Sequence, residues 1–478
     1  MDESSKKLTH NYLFTLLAQA CQLLEPMITM PYISRVLGVE NIGVYSTSVA
    51  SAAYFVLAAN FGSSVYGQKR IAADGIDLEE RSGTFYSVII FRFFPFILSL
   101  IAWILYVFHI GGGRTILLIQ GISIISVFLD ISWFFQGLED FRRTSLRIVF
   151  FRILAASAVF LFVKSDQDTV KYAFIELTCA ALGNLSLWPR LSGLICVPQK
   201  GLIHPLDCLK ECFQFFVPGL AVQTYTALDK MMLNTIGGSL AENGYYEQAS
   251  KIVRFITSVL TVYSNVWFPR MSLLFKNDSE TIKGRARKEI QQGAQFVTFL
   301  GLPLVIALEI IAPVLTVIYL GESFKKSALL IRILTPNILI IGISTALGQQ
   351  FYNPSGRQNI STIFVFAGAF LNLLLNRLLI PRILSVGTSI ASLLTETLIT
   401  LLFIVYAEKN HYFDMLQFLK GGWKHLCAAL IMGGIILVMP KQNLIQLCFT
   451  AAAGVCVYPT VLFLLKDEQL RAFWGSLK

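Results

Sequence analysis

The sequence predicts an all-α protein embedded in a membrane, and three observations lead to this fold class. Of the 478 residues, 55% are hydrophobic and only 14% are charged, whereas soluble proteins carry about 25% charged residues. The apolar residues are gathered into long stretches, each near the roughly 20 residues that a helix needs to cross the hydrocarbon. These stretches do not alternate in hydropathy as the strands of a membrane barrel do.

We predict about 14 transmembrane helices, one for each apolar stretch. The stretches lie near residues 8–32, 41–66, 83–108, 114–137, 144–164, 170–190, 211–236, 243–268, 289–319, 327–352, 359–380, 384–407, 422–439 and 443–465. The first stretch is too long for the apolar part of a signal peptide and is followed by no A-x-A-like cleavage site, so we expect it to remain as the first helix.

Basic residues indicate how these helices are oriented, because they cluster in alternate loops. The clusters are Lys69, Arg70 and Arg81; Arg142, Arg143 and Arg147; Arg190, Lys200 and Lys210; Arg270, Lys276, Lys283, Arg285, Arg287 and Lys288; and Lys409, Lys420 and Lys424. Since Lys and Arg are enriched in cytoplasmic loops, we expect both termini to be cytoplasmic. The net charge of +10 therefore follows the topology and does not predict a nucleic-acid partner.

An internal repeat predicts two lobes. Residues 38–45 (GVENIGVY) open the second stretch, and residues 238–246 (GSLAENGYY) open the eighth, at an offset near 200 residues that encloses six spans. An even number of spans gives both copies the same orientation, so we expect parallel repeats with a cavity between them. The predicted domains are a six-helix lobe over 1–200, a second six-helix lobe over 201–420, and two further helices with a cytoplasmic tail over 421–478.

Signatures of soluble enzymes are absent from the sequence. It contains no Walker A loop, no dinucleotide fingerprint after a strand, no H-E-x-x-H and no G-x-S-x-G. No loop exceeds about 20 residues, which leaves no room for a catalytic domain outside the membrane. We expect no enzymatic activity and no cofactor, with a proton or sodium gradient, or the gradient of the substrate, as the source of energy. Cys208 and Cys212 are close in sequence, but because no second cysteine pair accompanies them we expect them to pack inertly and to bind no metal.

Ionisable residues inside the apolar stretches are the strongest functional signal. A charge at mid-membrane is costly, so such groups usually face a wet cavity or a partner. A buried ion pair or a snorkelling side chain is the structural alternative, and the sequence leaves both open. The candidate substrate ligands are the cations Arg92, Arg152, Lys230, Lys251, Arg254 and Arg332. The candidates for ion coupling are the carboxylates Glu25, Asp130, Glu176, Asp229, Glu309 and Glu396.

Lys251 and Arg254 form the sharpest hypothesis among the cations. Three residues apart on one helix, they share a face and repel each other unless an anion lies between them. The guanidinium fork and the compact ammonium group suit the oxygens of a pyrophosphate, and Asp229 on the preceding stretch is the competing partner. Among the carboxylates, Glu25 is the first choice because the adjacent Pro26 would bend the helix where Glu25 ionises.

The order of several motifs resembles that of Wzx-type polysaccharide repeat-unit flippases. These motifs are residues 35–45 (RVLGVENIGVY), 67–72 (GQKRIA), 228–230 (LDK), 244–246 (GYY) with Ala249 and Lys251, 268–272 (FPRMS), and Asn372, Asn376, Ile380 and Pro381. The resemblance covers roughly residues 10–410. It implies membership of the multidrug/oligosaccharidyl-lipid/polysaccharide exporter superfamily, with two six-helix lobes in the V-shaped arrangement of the multidrug (MATE) transporters.

The resemblance also implies a function. Members of the family flip undecaprenyl-pyrophosphate-linked glycans outward across the bacterial plasma membrane by alternating access, for capsule or O-antigen, and a polysaccharide polymerase can be their partner. Their cavities tend to be cationic, which fits Lys251 and Arg254. The first stretch departs from peptidoglycan-precursor flippases, because Gln19, Gln22 and Glu25 stand where those relatives have arginines. A cation-coupled multidrug antiporter and a membrane-embedded polymerase are the alternatives; basic residues count against the first, and the short loops against the second.

Overall fold

A computed structural model of the chain describes residues 3–75, 77–110, 113–198, 200–275, 280–441 and 443–471. Three expectations fall outside the described residues: the extreme N-terminus, Lys276 of the largest basic cluster, and the cytoplasmic tail after residue 471. Over the described residues the chain is helical and contains no strand. The predicted all-α class is therefore confirmed.

The α-helices of the described residues follow one another with short connections. They are α1 (Glu3–Asn60), α2 (Ser63–Asp74), α3 (Leu78–His109), α4 (Arg114–Leu129), α5 (Ser132–Gly137), α6 (Phe141–Phe162), α7 (Thr169–Leu185), α8 (Cys208–Thr235), α9 (Leu240–Leu274), α10 (Glu280–Leu320), α11 (Ser327–Leu334), α12 (Asn337–Leu347), α13 (Gln358–Lys409), α14 (Met415–Val438) and α15 (Leu444–Leu464).

Each predicted stretch lies on helix, but helices and stretches do not correspond one to one. By length and composition, nine helical segments among the described residues could cross a membrane. Two of these segments exceed 50 residues and break midway, at Gly38 and at Leu384, so each is long enough for two crossings. The helices α7, α8 and α9 are not among the nine. The count of 14 therefore stays a prediction.

Three predicted spans are interrupted within their predicted bounds, and only the interruption of the tenth span coincides with a proline, Pro336. The second stretch ends at Phe61 and Gly62, both with positive φ, and α2 then begins. The fourth stretch breaks at Asp130, between α4 and α5. The tenth stretch divides into α11 and α12 and ends in a π-helical turn, Gly348–Tyr352. Such interruptions in membrane helices are tolerated where they line a cavity or are buried in protein.

The two repeat motifs share a backbone feature. Gly38 has φ of 76° and Gly238 has φ of 63°, a left-handed conformation that glycine adopts without the steric cost that a Cβ imposes. Gly38 marks the break inside α1, and Gly238 precedes the N-cap of α9. The first glycine of each copy is therefore required by a turn at the same point of the repeat.

The chain divides into two compact units, residues 1–231 and 232–478. In the first unit, α1 packs against α3, α4 and α6, and α4 packs against α7. One of its cores surrounds Trp103 between α1, α3 and α4. A second core joins α2, α3 and α5 around Trp133, and it includes Cys208 and Cys212 as buried free thiols.

In the second unit, α10 packs against α12 and α14, and α14 packs against α15. A core of Phe299, Ala428, Met432 and Tyr458 lies between α10, α14 and α15, and the Tyr458 hydroxyl donates to the Phe299 carbonyl at 2.7 Å. The helices α14 and α15, which the sequence assigned to a separate region after residue 420, are thus packed onto α10.

Candidate functional site

A cavity of about 680 Å³ lies within the first unit. Its wall is formed by α1, α2, α6 and α7 and by the break between α4 and α5. The polar lining residues are Gln22, Tyr45, Ser64, Gln68, Asp130, Ser132, Trp133, Gln136, Arg147, Arg152, Glu176 and Asn184. The volume is within the range of about 300–1,000 Å³ that is typical of small-molecule sites.

The break between α4 and α5 forms one side of this cavity. Asp130 caps α4, and its carboxylate accepts a hydrogen bond from the Ser132 backbone N–H at 2.9 Å and another from the Ser132 hydroxyl. Directly after Ser132, the Trp133 ring lies over Gly67 of α2, where a Cβ would stand 2.4 Å from the ring. Asp and Ser favour such local side-chain to backbone bonds over helix continuation, so α5 begins at a new angle and turns Trp133 and Gln136 to the cavity.

Arg147 is held at this break by neutral partners and one carboxylate. Its guanidinium donates to the Asn184 side-chain oxygen at 2.7 Å and to the Ser132 hydroxyl at 3.1 Å, and it lies 3.8 Å from the Asp130 carboxylate. The sequence grouped Arg147 with a cytoplasmic basic loop, whereas the structure places it in α6 with its side chain 8% exposed. The packing of α6 against α1 and α7 encloses the Arg147 side chain.

Arg152, one turn further along α6, pairs with Glu25 of α1. The guanidinium lies 3.1 Å from the carboxylate, with the Glu25 side chain 7% exposed and the Arg152 side chain 41% exposed. The Thr29 hydroxyl also donates to Glu25, at 3.3 Å. The candidate coupling residue Glu25 and the candidate ligand Arg152 are therefore partners of each other.

Arg92 lies behind the cavity wall and is fully buried. It donates to the Asn60 side-chain oxygen at 2.7 Å, to the Ser64 hydroxyl at 2.5 Å and to the Asp130 carbonyl at 2.7 Å. A further bond, of 2.8 Å, goes to the Ser63 hydroxyl. These bonds occupy the guanidinium and hold Ser64 and Asp130 in the wall.

The remaining candidates do not line this cavity, apart from Glu176 of α7. In α9, the Lys251 ammonium lies 3.1 Å from the Glu247 carboxylate one turn away. Arg254 is exposed and donates to the Ser250 hydroxyl at 3.4 Å, and no carboxylate of the described residues is within ion-pair distance of it. The sequence indicated Asp229 as the competing partner of Lys251, and Glu247 was not predicted as its partner.

The other five candidates also have partners close by. Arg332 of α11 pairs with Glu309 of α10 at 2.8 Å, and both side chains are about half exposed. Asp229 and Glu396 are buried, and Lys230 is partly buried; each of the three makes an interaction with neighbouring groups.

Sequence reasoning missed most of the polar residues that line the cavity, among them Gln68, Trp133, Gln136 and Arg147. Arg147 is the one that a sequence signal could have identified, because it lies inside the predicted span over 144–164 and is therefore an intramembrane charge. The two glutamines and the tryptophan carry no such signal, since uncharged polar residues are common near helix ends.

The charges that line the cavity balance. Arg147 and Arg152 are matched by Asp130 and Glu176, and most of the remaining polar groups are amides and hydroxyls. In the part of the chain that the structure describes, no group of three or more His, Cys, Asp and Glu side chains is placed to hold a metal ion. Such a cavity can bind a polar molecule through neutral donors and acceptors.

A polar cavity inside a helical bundle is a feature that membrane transporters share, and the comparisons with known proteins assign the family. The chain belongs to the family described as "Polysaccharide biosynthesis protein", whose model matches residues 8–275. A second family model, "Lipid II flippase MurJ", matches residues 199–452. The predicted resemblance to Wzx-type flippases of the exporter superfamily is thereby confirmed.

Relatives with curated names match over nearly their whole length. A "Putative O-antigen transporter" of Escherichia coli (strain K12) is 22% identical over 86% of this chain and 99% of the relative. A protein of the same name from Shigella dysenteriae is 25% identical over 84% of this chain and 99% of the relative.

Solved structures agree on the fold. A structure titled "Lipid II flippase MurJ, inward closed conformation" has a TM-score of 0.77, covers 95% of this chain and 99% of its own, and is 15% identical. An outward-facing multidrug transporter of the MATE family has a TM-score of 0.55, with 12% identity over 85% of this chain and 95% of its own. At these identities the likeness shows the fold alone.

Proposed function

We propose that this protein is a flippase that moves undecaprenyl-pyrophosphate-linked oligosaccharide units from the cytoplasmic to the outer leaflet by alternating access, for the export of an O-antigen or capsule polysaccharide. The observation that carries the proposal is the similarity to two O-antigen transporters over 99% of their length, which includes both units of this chain. The polar, charge-balanced cavity supports it, because a hydrated glycan needs a polar surface within the bilayer.

A multidrug antiporter fits less well. Neither family model describes a drug transporter, and the multidrug transporter structure has a TM-score of 0.55 against 0.77 for the lipid II flippase. The similarity to the lipid II flippase does not make lipid II the substrate here. In the first helix, Gln22 lines the cavity and Glu25 is paired, where the peptidoglycan-precursor relatives carry arginines.

For the pyrophosphate we propose Arg254 as the principal ligand, with Lys251 as its neighbour on α9. Arg254 is exposed and has no carboxylate partner among the described residues, so its charge is available to an anion. Lys251 must first exchange Glu247 for a phosphate oxygen. Arg254 is therefore expected to contribute more to headgroup binding than Lys251.

The test is translocation of undecaprenyl-pyrophosphate-linked oligosaccharide in proteoliposomes by the wild type, Arg254→Ala, Lys251→Ala and the double variant. A charge-assisted bond to phosphate corresponds to about tenfold or more in rate when it is lost. We expect that loss for Arg254→Ala, a smaller loss for Lys251→Ala, and no change for Arg382→Ala, which removes another exposed arginine of the second unit.

The outcomes separate the site from the function. Translocation by the wild type that is unchanged in the double variant would remove α9 from the headgroup site and leave the flippase. Transport of organic cations by the wild type, without any translocation of lipid-linked glycan, would make the protein an antiporter.

We further propose that the protein is located in the bacterial inner membrane with both termini cytoplasmic, that it has no catalytic activity, and that a polysaccharide polymerase receives its product. A proton or sodium gradient is the proposed source of energy, with Glu25, Asp130 and Glu176 as the carboxylates of the first unit nearest to its cavity. Each gradient can be dissipated in turn with a selective ionophore. We expect translocation to slow only when the gradient of the coupling ion is dissipated.

A further inference from the structure

We propose that the cavity of the first unit is a subsite for an uncharged, hydroxyl-rich sugar of the transported glycan, with Trp133, Gln68 and Gln136 as specificity-determining residues. The proposal rests on the flippase function proposed above. It assigns the sugar, rather than the pyrophosphate, to this cavity.

The first argument is charge. The two arginines of the lining each have a carboxylate within ion-pair distance: Arg147 lies 3.8 Å from Asp130, and Arg152 lies 3.1 Å from Glu25. Glu176 adds a further carboxylate to the wall. An anion that enters the cavity therefore meets no uncompensated cation, and it must displace a carboxylate or lie beside one. A pyrophosphate or an acidic sugar is disfavoured, while a neutral polar group is not.

The second argument is an unpaired donor. The Trp133 side chain is 2% exposed and lines the cavity, yet its indole N–H has no acceptor among the described residues. Buried donors in folded proteins nearly always have a partner, in the protein or in an ordered water, and a ligand in the cavity can take the place of that water. The indole nitrogen only donates, so the missing partner is an acceptor, such as a sugar hydroxyl or ring oxygen.

The third argument is the presence of neutral polar side chains in the cavity wall. Gln68 of α2 and Gln136 of α5 line the cavity beside Trp133, and neither side chain bonds to another residue in the described part of the chain. Each amide offers two donors and an acceptor, which matches the paired donor and acceptor character of sugar hydroxyls. A site that supplies such bonds rejects analogues that lack them, because its polar groups are then left unpaired.

The test measures binding of three probes to the protein in nanodiscs. The first is undecaprenyl pyrophosphate that carries a neutral hexose–N-acetylhexosamine disaccharide. The second carries a hexuronic acid in place of the hexose, and the third is undecaprenyl pyrophosphate without sugar. For the wild type we expect the neutral glycan to bind about tenfold or more tightly than the acidic one, because a carboxylate would approach Asp130 and Glu176.

Two variants with matched controls locate the effect. Trp133→Phe removes one donor and is expected to weaken binding of the neutral glycan by about two- to tenfold, with no change for the carrier without sugar. Trp103→Phe is the control, since Trp103 is equally buried, also has an unpaired indole N–H among the described residues, and does not line the cavity. Gln68→Leu alters an exposed side chain that lines the cavity, so its effect on binding does not depend on core packing. Gln19→Leu is its control, because Gln19 is exposed on α1 and lies outside the cavity.

The results distinguish this proposal from the flippase function. Suppose that the wild type translocates lipid-linked glycan, but that Trp133→Phe and Gln68→Leu weaken the binding of all three probes equally or of none of them. The proposal of a sugar subsite would then be wrong, and the proposed flippase function would remain. Equal binding of the neutral and the acidic glycan would also overturn it. If the wild type neither binds nor translocates any of the probes, the proposed function itself fails.

Discussion

Charged side chains of these helices are compensated close to where they lie. Glu25 pairs with Arg152, Glu247 with Lys251, and the Arg147 guanidinium approaches Asp130. A charge in a low dielectric is stable only beside a partner or in contact with water. The pairs therefore explain how the protein keeps many ionisable residues within its apolar stretches, and they leave Arg254 as a cation that an anionic headgroup can reach.

Removal of one partner of the Glu25–Arg152 pair should cost more than removal of both charges. Arg152→Ala leaves a buried carboxylate without its cation, and because Arg152 itself is partly exposed we expect a loss of about 1–3 kcal/mol in the free energy of unfolding in detergent. The double variant Glu25→Gln/Arg152→Gln should lose less, and Arg332→Ala, in a pair that is half exposed, should lose least. Equal losses for Arg152→Ala and the double variant would contradict a cost of leaving the Glu25 carboxylate buried without its cation.

Gly67 should tolerate no side chain, because the Trp133 ring occupies the space. A Cβ at this position would lie 2.4 Å from the ring, and overpacking of this kind costs about 1–3 kcal/mol. We expect Gly67→Ala to lower the thermal unfolding temperature and to weaken glycan binding by displacing Trp133. Gly434→Ala is the matched change within α14, where no atom lies within 4 Å of the new Cβ. An equal effect of the two substitutions on stability would contradict the close approach of Gly67 and Trp133.

At the scale of elements, side chains that bind backbone groups decide where helices begin and break. Asp130 ends α4 by bonding to Ser132, and Asp414 begins α14 by accepting from the Gln417 backbone N–H at 2.9 Å. Asp414 also bonds to the Arg287 guanidinium at 2.9 Å, which ties the start of α14 to α10. Short polar side chains of this kind are the usual N-caps, and here they set where α4 ends beside the cavity and where α14 begins in the second unit.

The capping bond at Asp414 predicts a pH dependence of stability. The N–H donated by Gln417, with the charge of Arg287, lowers the pKa of Asp414 below its ordinary value of 3.8 despite a smaller opposing effect of burial. The contribution to stability is therefore complete above that ordinary value and is lost as the pH falls through the lowered pKa.

Asp414→Asn should keep the cap and remove the charge. Its unfolding temperature should lie below that of the wild type at about pH 7, and the difference should shrink as the pH falls below the ordinary pKa of 3.8. Glu468→Gln, at an exposed carboxylate without a bond or ion pair among the described residues, is expected to show no such convergence. A constant difference between wild type and Asp414→Asn across the range would exclude a role for the charge.

At the scale of the whole molecule, each of the two units has its own core. In each unit, the first glycine of the repeat has a left-handed backbone conformation and precedes a helix or the second half of a broken helix. The core around Trp103 belongs to the first unit and the core around Tyr458 to the second. The family matches extend across both units. Together these features fit a transporter that is built from two copies of one helical arrangement.

Membrane sidedness is the whole-molecule prediction that is simplest to test. Positive-inside topology places the start of α10, with Arg285, in the cytoplasm and the turn after α10, with Glu322, outside. Both side chains are exposed. We expect an impermeant maleimide to label Glu322→Cys on spheroplasts and Arg285→Cys only after permeabilisation, in a background that lacks the exposed Cys427, Cys448 and Cys456. The reverse labelling would invert the proposed topology.

The sequence by itself determined the fold class, the family and the positions of most intramembrane charges. These three features depend on local properties of the sequence, namely the length and hydropathy of each stretch and the order of short motifs along the chain. Glu25, Asp130, Arg152 and Glu176 were all predicted as functional residues of the first half of the chain, and the structure brings all four to or beside one cavity.

Only the tertiary structure decided how these residues are combined. Glu25 and Arg152 are 127 residues apart, and their pairing depends on the packing of α6 against α1, which no local pattern encodes. The break at Asp130, the entry of Arg147 into the bundle and the place of Trp133 over Gly67 depend in the same way on contacts between helices. Hydropathy shows that a residue is buried, but helix packing selects its partner, and the partner decides whether a charge is available to a substrate.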